Sequence, residues 1–197
     1  MADHYVRAVH QGADGLAALW ESRLDQLDAA LRDRMLDPNL LRDSAAWYAS
    51  QGLPVFPLQP GTKVPMPARL TCCGGSHRRG CLDALAHVGA ALAWWRQHPT
   101  ANIGLATGHR VDVIDQDGTA GAVSWLRNDD WPPVLGVVST PRAGGVHRFI
   151  RATGYGNAAG WRRGLDYRGR GGYVVAPPSV VDGRHYTWLR SLDLRGC

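Results

Sequence analysis

A chain of 197 residues and 21.4 kDa has room for one compact domain and at most a small satellite module. Its 45% hydrophobic and 20% charged residues are globular in character and exclude general disorder, while the net charge of +5 permits a polyanionic partner without demanding one. No apolar run approaches the roughly 18 residues of a membrane span, and the opening MADHYVRAVHQGADG lacks the apolar centre of a signal peptide, so the expected location is the cytoplasm.

Residues 14–36 carry Leu16, Leu19, Leu24, Leu27, Leu31 and Met35 at helical spacing, and Pro38 stops the run. A second helix is expected over 44–51, with Ser44 as N-cap and Gly52 as its stop. LPVFPL at 53–58 reads as a short buried strand. The Pro-, Gly- and Cys-rich stretch 59–81 is too long for a structureless loop in a compact domain unless it has a function or its own staple. A helix capped by Asp83 follows over 83–97, then strands at 102–106 and 111–115 and a helix over 119–129. GVVST at 136–140 and VHRFIR at 146–151 flank PRAGG and read as a hairpin. The last strands are 172–177 and 185–189, with Asp182-Gly183 turning between them. Helices interspersed with strands early and hairpins late give an α+β fold with a mixed or antiparallel sheet.

Asp115 and Asp117 end the apolar strand VDVIDQD. Side chains two apart on a strand point the same way, and two carboxylates side by side repel unless a proton or a cation sits between them. A hard divalent cation, Mg²⁺ or Mn²⁺, suits such oxygen donors. The same residues also read as a strand running into an Asp-Gly turn. TPRAGGVHRF at 140–149 adds Arg142, a Gly pair and His147; GLDYRGRGGYVVAPPS at 164–179 adds Asp166, Arg168, Arg170 and another Gly pair. Glycines let a backbone approach phosphate oxygens closely, Arg offers them a bidentate fork, and Asp166 could complete a metal site. It is the conjunction of Asp-x-Asp, Gly-x-His and Leu-Asp that carries weight.

Cys72, Cys73, His77 and Cys81 place four zinc-type ligands within ten residues. A structural Zn²⁺ would give the loop at 70–82 a shape. Adjacent cysteines crowd one ion, so His87 or Asp83 could replace one of them, and incidental thiols in a loop are the alternative.

From AAWYASQGLPVFPLQPGTKVP through WWRQHPTANIGLATG, VDVIDQD, STPRAGGVHRF, LDYRGRGGYVVAPPS and HYTW, residues 44–189 resemble the bifunctional primase-polymerase domain of the archaeo-eukaryotic primase superfamily, of the phage and plasmid replication type. The resemblance implies an RRM-like catalytic core packed with a smaller N-terminal α/β unit, here a catalytic domain over 41–197 behind a helical extension over 1–40. It implies nucleotidyl transfer from nucleoside triphosphates on a single-stranded DNA template and primer, with a fused or separate replicative helicase as partner. On this chain the two-metal ligands fall on Asp115, Asp117 and Asp166, and the nucleotide-binding histidine on His147. Arg142, Arg168, Arg170, Ser139, Thr140 and Lys63 become candidate contacts to the nucleotide. Two other readings stand beside it: a non-catalytic RRM-like nucleic-acid-binding module, and a metal-dependent nuclease.

Overall fold

A computed structural model describes residues 37–66 and 80–195, with the backbone alone of 68–69 and 76–77. The helix expected over 14–36 lies outside the described residues. By its contacts the chain divides into Met1–Leu40 and Leu41–Cys197, and the second unit is the subject below.

Helix α1 spans Leu40–Ser50. It begins four residues before Ser44, because Asp37 turns the chain there: its side chain accepts from the Asn39 N–H at 2.8 Å and its carbonyl from the Leu40 N–H at 3.0 Å. Pro38 sits at the entrance, where its missing N–H costs nothing. Strand β1 is Val55–Leu58. The short strands β2 (Ala68–Arg69) and β3 (Ser76–His77) pair with each other. Asp83 does not cap a helix. Residues Gly80–Asp83 form a 3₁₀ turn, and α2 runs Val88–Gln97 with His87 as N-cap, its Nδ1 accepting from the Ala90 N–H at 3.1 Å. Asx-like capping by a histidine ring was not legible as a start signal.

The remaining strands are β4 (Asn102–Ala106), β5 (Val111–Gln116), β6 (Val134–Ser139), β7 (Val146–Arg151), β8 (Ala158–Arg162), β9 (Leu165–Arg168), β10 (Tyr173–Ala176), β11 (Val180–Val181), β12 (Arg184–His185) and β13 (Thr187–Arg190), with helix α3 over Gly118–Leu126. They form two main sheets. One has the order β1-β4-β10 and the other β13-β6-β7-β5-β9-β8, and neighbours in both are antiparallel. The fold is α+β with antiparallel sheets.

The pairing of the last strands also differs from the sequence expectation. The segments 172–177 and 185–189 do not pair, since β10 joins β4 and β13 joins β6; Asp182 and Gly183, at φ 51° and 72°, turn only the small β11–β12 hairpin. The Gly-rich 158–168 is itself a hairpin, β8–β9, whose register shift between Ala158 and Arg162 hid the strand alternation.

The six-stranded sheet has an apolar middle on both faces. Val111, Val113, Val138 and Phe149 join the main core with Leu53, Val55, Trp94, Trp95 and Leu105. Ile114, Ile150, Leu165 and Tyr167 face the other way and are roofed by Trp125 and Trp131. Alternation along β5 therefore places Asp115 on the side of the main core and Asp112 on the other. No described helix is long and apolar enough to cross a membrane.

Candidate active site

Strand β5 lies between β7 and β9, and Asp115 is in register with His147 on one side and with Asp166 on the other. Directly opposed residues share a face, so three polar side chains form a row across three strands. Asp117 follows β5 at the N-cap position of α3. Its N–H donates to the Gly164 carbonyl at 2.8 Å, and its carboxylate makes no cap hydrogen bond among the described residues. Asp115 and Asp166 are largely covered, with 16% and 22% of their side chains exposed, whereas Asp117 is 44% exposed.

Each carboxylate has a cationic neighbour. The Arg168 guanidinium lies 2.6 Å from Asp166 Oδ2 and 3.2 Å from Asp115 Oδ2, bridging the two. The Gly160 N–H donates to Asp166 Oδ1 at 2.6 Å. Arg142 stands 2.6 Å from Asp117 Oδ1 at the open end of the site. His147 Nε2 is 3.4 Å from Asp115 Oδ1, and its Nδ1 is buried with no hydrogen-bond partner among the described residues. Burial holds the imidazole below the usual histidine pKa, against the opposing pull of Asp115. His147 is therefore neutral at pH 7, with one N–H and one bare nitrogen.

A cavity of about 230 Å³ opens between β10 and this row, lined by Lys63, Asp115, His147, Asn157, Arg168 and Tyr186 together with residues 171–175. Lys63, Arg168 and the Asn157 amide offer donors to an anionic guest, beside the Asp115 carboxylate on the same wall. The sequence candidates Asp115, His147, Arg168 and Lys63 thus meet at one cavity, and Asp166 joins them through Arg168. Ser139, Thr140 and Arg170 do not line it. Ser139 ends β6 opposite Val146, the Thr140 N–H donates to the Gly145 carbonyl at 3.1 Å, and Arg170 is exposed. Asn157, Tyr173 and Tyr186 were missed. Both tyrosines sit in segments read only as strand formers, and nothing in the sequence singles out Asn157. Burial, then Asp115 and Asp117, push the Tyr186 hydroxyl well above its ordinary pKa, so it stays protonated.

Of the cysteine-loop candidates, Cys72 and Cys73 lie outside the described residues, and His77 is described by backbone alone, paired in β3 with Ala68. The Cys81 thiol donates to the Gly171 carbonyl at 3.4 Å. Among the described residues no three His, Cys, Asp or Glu side chains converge closely enough to enclose a metal ion. The donor chemistry of Asp115, Asp117 and Asp166 nevertheless fits a hard divalent cation, since each of the three oxygen donors already faces a positive guanidinium.

Carboxylates, a neutral histidine and basic side chains gathered around one polar cavity are the equipment of an enzyme acting on phosphates. The chain belongs to the Prim-Pol family, described as bifunctional DNA primase/polymerase, N-terminal, whose family model matches residues 45–197. No curated protein sequence matches it. Membership makes this a primase/polymerase domain, an enzyme of the nucleotidyltransferase type.

Proposed function

We propose that the domain, built on an RRM-like core, performs template-directed, divalent-metal-dependent nucleotidyl transfer from nucleoside triphosphates to a 3′-hydroxyl, making or extending primers on single-stranded DNA. The observation that carries this reading is the in-register row His147–Asp115–Asp166 beside a cavity lined by Lys63 and Arg168. Asp115 and Asp117 are the ligands shared by two Mg²⁺ or Mn²⁺ ions, and Asp166 serves the one nearer the 3′-hydroxyl. Such ions supply charge neutralisation at the attacking and leaving oxygens. The neutral His147 offers one N–H to a phosphate oxygen, and Lys63 and Arg168 offset the triphosphate charge from the cavity wall. Arg142 contacts phosphate from the open end. A replicative helicase, fused or separate, is the partner that would supply single-stranded template.

Two aromatic residues that could serve a pure binding module, Trp125 and Trp131, are engaged with each other. Trp125 and Trp131 stack on each other at 4.2 Å on the far face, and Arg148 lies 3.9 Å over Trp125. Incubation with primed and unprimed single-stranded templates, each nucleotide type, and Mg²⁺ or Mn²⁺ tests the reading. Products longer than the input support it. Shortened strands would indicate a nuclease, and unchanged strands with retained DNA binding a non-catalytic module.

For the loop at 70–82 we propose one structural Zn²⁺ held by Cys72, Cys73, His77 and Cys81. Elemental analysis of protein purified without added metal should find about one zinc per chain. No zinc, with the thiols freely titratable under native conditions, removes the proposal.

A further inference from the structure

We propose that Arg168 is a built-in counter-cation: its guanidinium neutralises Asp115 and Asp166 until a divalent ion claims those carboxylates, and it is then released toward the adjoining cavity. This inference rests on reading Asp115 and Asp166 as metal ligands.

Four observations carry it. First, one guanidinium serves both carboxylates, at 2.6 Å and 3.2 Å, and it uses Oδ2 of each. An ion held by both carboxylates would compete with the guanidinium for those oxygens. Second, among the described residues no other arginine or lysine is ion-paired with either carboxylate: the other oxygen of Asp166 takes the Gly160 N–H, and the other oxygen of Asp115 faces His147 Nε2 at 3.4 Å. Third, the three side chains are 16–27% exposed, so solvent screens their charges far less than it screens the Arg142–Asp117 pair, which is 63% and 44% exposed. Fourth, Arg168 lines the cavity while its backbone is locked opposite Val113 in the β5–β9 ladder. Its side chain can turn away without any strand moving, and a freed guanidinium adds a bidentate phosphate fork beside Lys63. Arg168 is thus a positioning residue that ties the arrival of a cation to the readiness of the anion site.

Mn²⁺ titration of the full chain, read by the loss of the free-ion paramagnetic resonance signal, tests this in wild type, Arg168→Gln, Arg168→Lys and Asp115→Asn. Losing a charge-assisted competitor should tighten Mn²⁺ binding in Arg168→Gln by about ten-fold or more. Arg168→Lys, which keeps the charge but not the fork, should fall between it and wild type. Without metal Arg168→Gln should melt at a lower temperature than wild type, and saturating Mn²⁺ should raise its midpoint by more. A merely structural arginine would weaken Mn²⁺ binding when replaced, so equal or weaker affinity in Arg168→Gln overturns the inference while leaving the metal reading intact. Should the glutamine variant not fold without metal, unchanged or weaker affinity in Arg168→Lys overturns it in the same way. Wild-type protein that binds no Mn²⁺, or binds it equally well after Asp115→Asn, overturns the metal reading and this inference with it.

Discussion

Asp112 and Asp115 lie three residues apart on one strand and have opposite duties. Asp112 is fully buried, and its Oδ2 accepts from the Thr153 N–H at 2.8 Å, the Thr153 hydroxyl at 3.0 Å and the Tyr167 hydroxyl at 2.5 Å. Those donors hold the back of the sheet together. Tyr167→Phe removes one of them beside a buried carboxylate, and urea denaturation should show a loss of about 1.5–3 kcal/mol. Burial and Asp112 push the Tyr167 hydroxyl up to about 12. The folded state therefore holds this proton longer than the unfolded chain, whose tyrosine titrates near 10. The resulting stability is complete below about pH 10 and is lost as pH rises toward 12; the variant should show a shallower decline across that window. On the front face, Asp115→Ala should abolish synthesis. Relief of carboxylate repulsion would leave the metal-free fold as stable as wild type or more so, but Arg168 already offsets that repulsion. The variant should instead lose about 1 kcal/mol, measured by the same denaturation without metal.

At the scale of elements, the site depends on how tightly α3 meets the β8–β9 turn. A Cβ on Gly121 would stand 2.2 Å from the Gly164 carbonyl oxygen, and one on Gly164 would stand 2.4 Å from the Gly121 nitrogen, with Gly164 at φ 70°. This contact sets Asp117, at the head of α3, against β9 and its Asp166, and the Asp117 N–H bond to Gly164 passes through it. Gly121→Ala should cost about 1–3 kcal/mol by overpacking. It should also reduce synthesis more than Mn²⁺ or Mg²⁺ in excess can restore, because it separates two carboxylates. Thermal melting and primer extension on the same preparation check both halves.

Across the whole molecule, the cavity is lined from both sheets, by β10 of one and by Asp115, His147 and Arg168 of the other. Tyr48 spans the layers: its hydroxyl donates to the Pro177 carbonyl at 2.8 Å and accepts from Trp188 Nε1 at 3.1 Å. Asn102 is buried on β4 and joins segments far apart in sequence. It donates to the Thr62 carbonyl at 2.9 Å and the Val180 carbonyl at 2.6 Å, and accepts from the Val180 N–H at 3.0 Å. This fixes the turn that carries Lys63 to the cavity. Asn102→Ala leaves three backbone groups without that partner and should destabilise the fold by at least about 2 kcal/mol. It should weaken nucleotide binding more than template binding, as separate titrations of the two ligands would show, because Lys63 loses its support.

The sequence alone determined the elements whose cause is local. The apolar alternation of VDVIDQD made β5, which carries Asp115, and PRAGG between two β-branched runs made the β6–β7 hairpin that carries His147. The order of these motifs identified the family before any coordinate. What it could not determine was every pairing between distant segments, because a strand's hydrogen bonds name no partner until the core is assembled. Only the tertiary structure decided that β10 leaves its sequence neighbours for β4, that β9 inserts beside β5 to bring Asp166 opposite Asp115, and that Arg168 comes to rest between the two carboxylates. These contacts bridge up to about seventy residues of chain, and long-range burial of Val113, Phe149 and Leu105 in one core is the force that sets them.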